Sequence, residues 1–275
     1  MKSIPVPETF TGVRVTALIE LYLRWLDSRR SRSILRDRLA AAAVERLDFD
    51  FDQFKSMKIG QYAVSIRSRL MDEWITQFLA GHPDAVVLDL GSGLDSRATR
   101  VDPPAGHPWF DVDLPDVLAI AEQLYPPRHE HTFLGTSVLD PGWLDGVPAD
   151  RPVIAVADSL LGFLGEEEVR SVLRRIVDHF PHGEIAFNIT SSAVQRQRDK
   201  RPVPLFEKYG IVERWWLDDP RGLTRLEPRL SCVEVVNQMQ TPLLAQTPLA
   251  YRMLCAVIRA VPSWNNSGWV LRYRF

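Results

Sequence analysis

The stretch Val86–Arg97, VVLDLGSGLDSR, decides how the chain is read. An apolar run interrupted by Asp89 ends in Gly91 and Gly93, the pattern of a buried strand turning into a nucleotide-binding loop. Where a dinucleotide fingerprint has its third glycine stands Ser96, beside the acidic Asp95. Two glycines after a strand also occur in plain turns, so the loop takes its meaning from what surrounds it.

Downstream, the chain alternates. AVVLDL and PWFDVD read as strands, LPDVLAIAEQLY as a helix, and HTFLGTS and PVIAVAD as two more strands. GEEEVRSVLRRIVDHF is an amphipathic helix with acids in its first turn and bases later, as the helix dipole favours, and GEIAFNIT is a fifth strand. Such alternation predicts a doubly wound α/β fold with a mostly parallel sheet. SCVEVVNQ is a sixth strand, LAYRMLCAVIRAV a helix, and GWVLRYRF alternates as an edge strand would.

Upstream, Leu18, Ile19, Tyr22, Leu23 and Leu26 recur at helical spacing, SILRDRLAAAAVERL reads as a second helix, and a third runs from Gln61 to Ala80. The expected organisation is one domain: a helical cap over residues 1–60, a core over 61–190, an inserted lid over 191–229, and C-terminal strands and helix over 230–275. With 275 residues, 45% hydrophobic and a formal charge of −2, the chain has ample core material and no charge bias toward nucleic acid. Its 28 arginines against 5 lysines are scattered among 35 acids, so the skew predicts no basic groove. Cys232 and Cys255 are lone thiols, which suits a reducing cytoplasm. MKSIPVPETF lacks an apolar core of signal-peptide length, and no run nears the ~18 residues of a membrane span, so neither export nor a membrane is expected.

In open α/β sheets, ligands bind beyond the carboxyl ends of the strands, where the strand order reverses. A loop that cradles pyrophosphate offers N–H groups to negative charge and should not place Asp95 beside it. A phosphate-free nucleoside such as S-adenosylmethionine tolerates the acid. Asp113, 22 residues after Gly91 at the end of the second strand, stands where a ribose-binding acid lies in either case. Asp111 points to the other sheet face and is expected to be the solvated one of the pair. Arg67 falls in the middle of a helix face made by Val64, Leu70, Met71, Trp74, Ile75 and Phe78. A charge there needs a partner, either a protein acid or a ligand carboxylate.

Taken in order, VVLDLGSGLDSRATRV, WFDVDLP, SVLDPGWLD, ADSLLGFLGEEEV and the closing GWVLRYRF resemble the leucine carboxyl methyltransferase family, in its branch of tetracenomycin-type polyketide O-methyltransferases. FTGVRVTALIELYLRW and LDFDFDQF are similar to that branch's N-terminal region, so the likeness covers nearly the whole chain. The resemblance implies a class I, Rossmann-like methyltransferase fold with a seven-stranded sheet and S-adenosyl-L-methionine as methyl donor. It implies Arg67 for the donor's carboxylate, Gly91 and Gly93 for the donor loop, and Asp113 for the ribose. It further implies Ser137 and Val138 at the adenine and Asp158 near the methionine end. Two positions depart from the family: Ser137 replaces an acidic residue, and Asp158 replaces the longer Glu.

None of the six histidines falls at a predicted strand carboxyl end, so no catalytic histidine is expected. His129 and His131 lack a third metal ligand at a supporting spacing, so no metal is expected either. Without a base, the acceptor should arrive ionised, as a carboxylic acid with a pKa of roughly 4 does. The function expected is O-methylation of a small aromatic or polyketide-like acid, with Phe206, Trp215 and Trp216 as candidate covers for its rings. Phenol methylation, protein carboxyl methylation and a catalytically silent binding protein are the alternatives. A nicotinamide oxidoreductase is disfavoured by Ser96 and Asp95.

Overall fold

The computed structural model describes residues 3–261 and 268–275. A seven-stranded sheet is built from β3 (Val86–Leu90), β4 (Trp109–Asp113), β5 (His131–Gly135), β6 (Val153–Ala157), β7 (Gly183–Thr190), β8 (Ser231–Asn237) and β9 (Gly268–Arg274). Their order is β5-β4-β3-β6-β7-β9-β8, all parallel except β9, which runs antiparallel to both its neighbours. From β3 the chain steps outward through β4 to β5, then returns to β6 on the other side of β3. The crevice of an open α/β sheet therefore opens at the carboxyl ends of β3 and β6.

β3 and β6 are buried along their whole length, because helices cover both sheet faces. Val86, Leu88 and Leu90 enter the cluster that includes Val172 and Ile176 of α6 (Glu166–His179), whereas Val87 joins Trp74 and Ile75 of α3 (Gln61–Gly81) on the other face. This is the two-residue alternation of a strand. α6 forms where its sequence is patterned for it: Glu166, Glu167 and Glu168 occupy the first turn, and Glu168 accepts from the Gly165 N–H at 2.7 Å. α4 (Arg97–Val101) and α5 (Pro115–Leu124) follow β3 and β4.

The N-terminal segment contains β1 (Ile4–Pro5), α1 (Arg14–Ser28), α2 (Leu39–Arg46), β2 (Leu47–Asp48) and a 3-10 stretch, Phe51–Gly60. β1 and β2 pair with each other in parallel. The second helix is shorter than the sequence pattern predicts. Asp27 accepts from the N–H groups of Ile34 and Leu35, Arg36 takes a left-handed φ of 60°, and Asp37 accepts from Leu39 and Ala40 at 3.1 Å each. These side chains satisfy the backbone outside a helix until Leu39.

β9 is not an edge strand. It lies between β7 and β8, with Ile185 opposite Tyr273 on one side and Val235 opposite Leu271 on the other. Trp269, Val270, Leu271 and Tyr273 are all buried, and β8 takes the edge instead. Alternation along a strand reports its faces and says nothing of how many neighbours it has. Between β7 and β8 lie α7 (Ser192–Lys200), α8 (Pro204–Tyr209) and a 3-10 turn, Gly222–Arg225. α9 (Leu249–Ala260) precedes β9. Trp215 packs into the core 6.4 Å from Phe187, and Trp216 is exposed, so neither covers the crevice.

Candidate functional site

A cavity of about 380 Å³ opens at the carboxyl ends of β3, β4 and β6. Gly91 and Gly93 border it with φ values of +64° and +58°, in the left-handed region where a side chain is strained. A Cβ on Gly91 would meet the Leu160 side chain at 3.0 Å, and one on Gly93 would meet Ala17 of α1 at 3.2 Å. The loop is thus pressed between α1 and the turn after β6, leaving the backbone facing the cavity.

Asp113 ends β4 and borders the same cavity. Its Oδ2 accepts from the Gly93 N–H at 2.7 Å and its Oδ1 from the Leu114 N–H at 2.6 Å. Each oxygen keeps lone-pair capacity for a diol. Burial pushes the carboxyl up to about 6, against the pull of those two backbone hydrogen bonds. Asp111 does face the other way, as alternation requires, but it is not solvated: it is buried, accepting from the Trp109 indole at 2.8 Å and lying 3.0 Å from His131 Nε2.

Ser137 and Val138 line the wall past β5, and Asp158 lies just past β6, so six of the seven expected residues surround one cavity. Asp140 adds an acid near Ser137: its Oδ2 accepts from the Ser137 N–H at 3.2 Å and from the Thr136 hydroxyl at 3.0 Å. Arg67 alone of the seven does not border this cavity. It lines a second one of about 410 Å³, where Ile19, Leu23, Val64, Phe163, Ile189 and Phe206 supply much of the surface. Thr16, Glu20, Ser159 and Phe163 belong to both cavities and mark the junction.

Arg67 holds protein acids. Its Nε donates to Asp158 Oδ1 and its Nη2 to Glu20 Oε1, both at 2.5 Å, while the Ser68 hydroxyl donates to Asp158 Oδ2 at 2.6 Å. Arg97 reaches the same Asp158 oxygen at 2.6 Å and also pairs with Asp89 at 2.8 Å and Asp72 at 3.0 Å. Burial pushes Asp158 up, but Arg67 and Arg97 outweigh it and hold the carboxyl at about 2. For Asp89 the balance reverses: burial raises it more than Arg97 lowers it.

Asp95 does not present a bare charge to the loop. Arg100 lies at 2.6 Å, Arg97 at 3.5 Å and Arg24 at 3.6 Å, and together they overcome the cost of burial to hold it below the ordinary carboxylate range. Arg24, Arg67, Arg97 and Arg100 are thereby interleaved with Glu20, Asp37, Asp72, Asp89, Asp95 and Asp158. Glu20, Asp95 and Asp158 reach the first cavity, and so do Arg24 and Arg97, so this cluster meets the cavity with paired charges of both signs.

No histidine borders either cavity. His131 pairs with Asp111, His107 lies between the carbonyls of Pro104 and His82, and His179 lies 2.9 Å from the Val147 carbonyl. Among the described residues no group of three His, Cys, Asp or Glu is placed to hold a metal ion, and no helix is long and apolar enough to cross a membrane. The sequence reading missed Glu20 and Arg24, which sit one turn apart inside the apolar run LIELYLRWL. A charged pair buried in such a run was the available signal. Arg97 and Ser159, each next to an expected site residue in the folded chain, carried no separate signal.

The profile of the leucine carboxyl methyltransferase family matches residues 17–125. The tetracenomycin polyketide synthesis O-methyltransferase of Streptomyces glaucescens is 37% identical over 96% of this chain and 97% of its own. An S-adenosyl-L-methionine-dependent methyltransferase of Gibberella zeae is 31% identical, covering 94% of this chain and 93% of its own. Among solved structures, a DUF574-family protein from Streptomyces avermitilis superposes with a TM-score of 0.61 at 15% identity over 97% of this chain and 98% of its own. Magnesium protoporphyrin IX methyltransferase from Synechocystis, with bound SAH, reaches 0.50 at 13% identity over 86% and 94%. With its sheet order and these relatives, the chain belongs to the leucine carboxyl methyltransferase family, in the branch of tetracenomycin-type polyketide O-methyltransferases, and is an S-adenosyl-L-methionine-dependent methyltransferase of the class I fold.

Proposed function

We propose that the protein methylates a carboxylate of a small aromatic or polyketide-like acid, giving a methyl ester, with the donor in the first cavity and the acceptor in the second. The observation that carries this reading is the junction: an apolar, partly aromatic cavity meets the donor cavity at Thr16, Glu20, Ser159 and Phe163. None of these offers a free base, because Glu20 is already tied to Arg67. An acceptor that arrives as a carboxylate needs none. S-Adenosyl-L-methionine, when bound, supplies a methyl on a cationic sulfur; a carboxylate oxygen forms the C–O bond as the C–S bond breaks with its electron pair left on sulfur, and no proton moves.

The residues present fit that donor. Asp113 would accept the ribose hydroxyls, Ser137 and Val138 would border the base, and the left-handed Gly91 and Gly93 keep side chains out of the cavity. Glu20 and Asp158 offer negative charge to its cationic end, and Arg67 holds both acids in place. Holding the acceptor oxygen behind the methyl supplies most of the acceleration such a displacement needs.

The test is incubation with donor and parallel sets of aromatic carboxylic acids and phenols, followed by mass spectrometry for a gain of one methyl. Methyl appearing on the acids, and released by mild alkali, is the expected result. An alkali-stable product formed only from the phenols would replace the carboxyl reading with ether formation.

A further inference from the structure

Ser159, the first residue after Asp158, takes a φ of +62°, a left-handed conformation that costs a non-glycine residue free energy. Strain of this kind persists where surrounding structure enforces it, and it gathers at ligand-binding positions. Here Asn188 on β7 enforces it. The Ser159 N–H donates to Asn188 Oδ1 at 2.6 Å, and Asn188 Nδ2 donates back to Ser159 Oγ at 3.4 Å. Because a backbone N–H can only donate, the oxygen of the amide must face it, and the amide NH₂ must face the hydroxyl. The serine oxygen therefore accepts from Asn188, and its own hydrogen points elsewhere.

The four residues that border both cavities differ in what they can still offer. The Thr16 hydroxyl is spent on the Val13 carbonyl at 2.6 Å, Glu20 is acceptor-only and paired with Arg67, and Phe163 has no polar side-chain atom. Among the described residues at the junction, Ser159 brings the hydroxyl whose proton has no protein acceptor. We propose that Ser159, held in its left-handed turn by Asn188, donates its hydroxyl proton to the acceptor's carboxylate and fixes the spectator oxygen while the other faces the methyl. This rests on the carboxyl reading above and names the residue that would orient its substrate. Ser159 then touches substrate directly, and Asn188 acts through it as a positioning residue.

The experiment uses the full chain with S-adenosyl-L-methionine and two probe acids, 2-naphthoate and anthracene-2-carboxylate, comparing wild type with Ser159→Gly, Ser159→Ala and Asn188→Asp. Glycine accepts the left-handed conformation, so Ser159→Gly should melt no lower than wild type. Its kcat/KM for ester formation should nevertheless fall by about ten- to a hundredfold, the range for a hydrogen bond to a charged group, mainly through KM for the acid. Ser159→Ala should show the same kinetic loss despite keeping the strain, and calorimetric donor affinity should stay at the wild-type value in both. Asn188→Asp keeps the acceptor for the Ser159 N–H but turns the hydroxyl back onto a carboxylate, and should reproduce the loss. Full kcat/KM in Ser159→Gly would overturn the assignment, as would a loss matched by weaker donor binding. A wild-type enzyme that binds donor but esterifies neither acid would remove the carboxyl reading, and this one with it.

Discussion

Arg67 illustrates how a single residue changes meaning between chain and fold. Its place on an apolar helix face demands a partner, and the structure supplies Asp158 and Glu20. Removing one member of a buried ion cluster leaves the others uncompensated, so Arg67→Ala should lower unfolding free energy by about 3–5 kcal/mol in a denaturant titration. An unchanged midpoint with weakened donor binding would give the guanidinium to the ligand instead. Asp113 makes a prediction about pH. Folding raises its carboxyl from near 4 to about 6, so its contribution to stability is fully present below pH 4 and is lost as pH rises through 6. Donor binding, proposed above to use the ionised form for the ribose hydroxyls, should move the other way and weaken below pH 6. Melting curves and donor calorimetry from pH 5 to 8, against Asp113→Asn, should show both trends in wild type and neither in the variant. Asp111→Ala should cost stability and leave donor affinity alone, since Asp111 serves Trp109 and His131.

At the scale of elements, the first cavity, proposed for the donor, is a joint between a loop and a helix far apart in sequence. The turn after β3 needs glycine both for its backbone and for the approach of α1, and these two demands can be separated. Gly93→Ala should cost about 1–2 kcal/mol for the left-handed conformation and, through its contact with Ala17, shift α1 and weaken donor binding. Gly12→Ala, at a φ of +59° with open space around it, should carry a similar stability cost with no effect on donor affinity. Equal donor affinities in the two variants would mean that α1 is not a rigid wall of the site. The core strands were legible as short apolar runs between turn signals, and α3 and α6 by their helical period, whereas the five-residue α4 carried no such signal. The start of α2 was not, because Asp27 and Asp37 divert the preceding backbone through contacts that periodicity does not encode.

For the whole molecule, the carboxyl reading implies an acceptor ionised throughout the neutral range and no titrating base at the junction. The pH profile of kcat/KM should therefore be nearly flat between about 6.5 and 8.5, falling only where Asp113 protonates. A steady climb toward high pH would indicate a phenol acceptor, whose pKa is roughly 10. The ordered motifs carried the family, the α/β alternation and the glycine loop at the carboxyl end of β3, because each is a short-range pattern of spacing and polarity along the chain. Folding alone decided that β9 inserts between β7 and β8, that Asp95 is neutralised by three arginines, and that Arg67 meets Glu20 and Asp158 at separations of 47 and 91 residues. Strand neighbours and buried charge partners are chosen by which surfaces must leave water together, and that choice is made across the folded molecule rather than along its sequence.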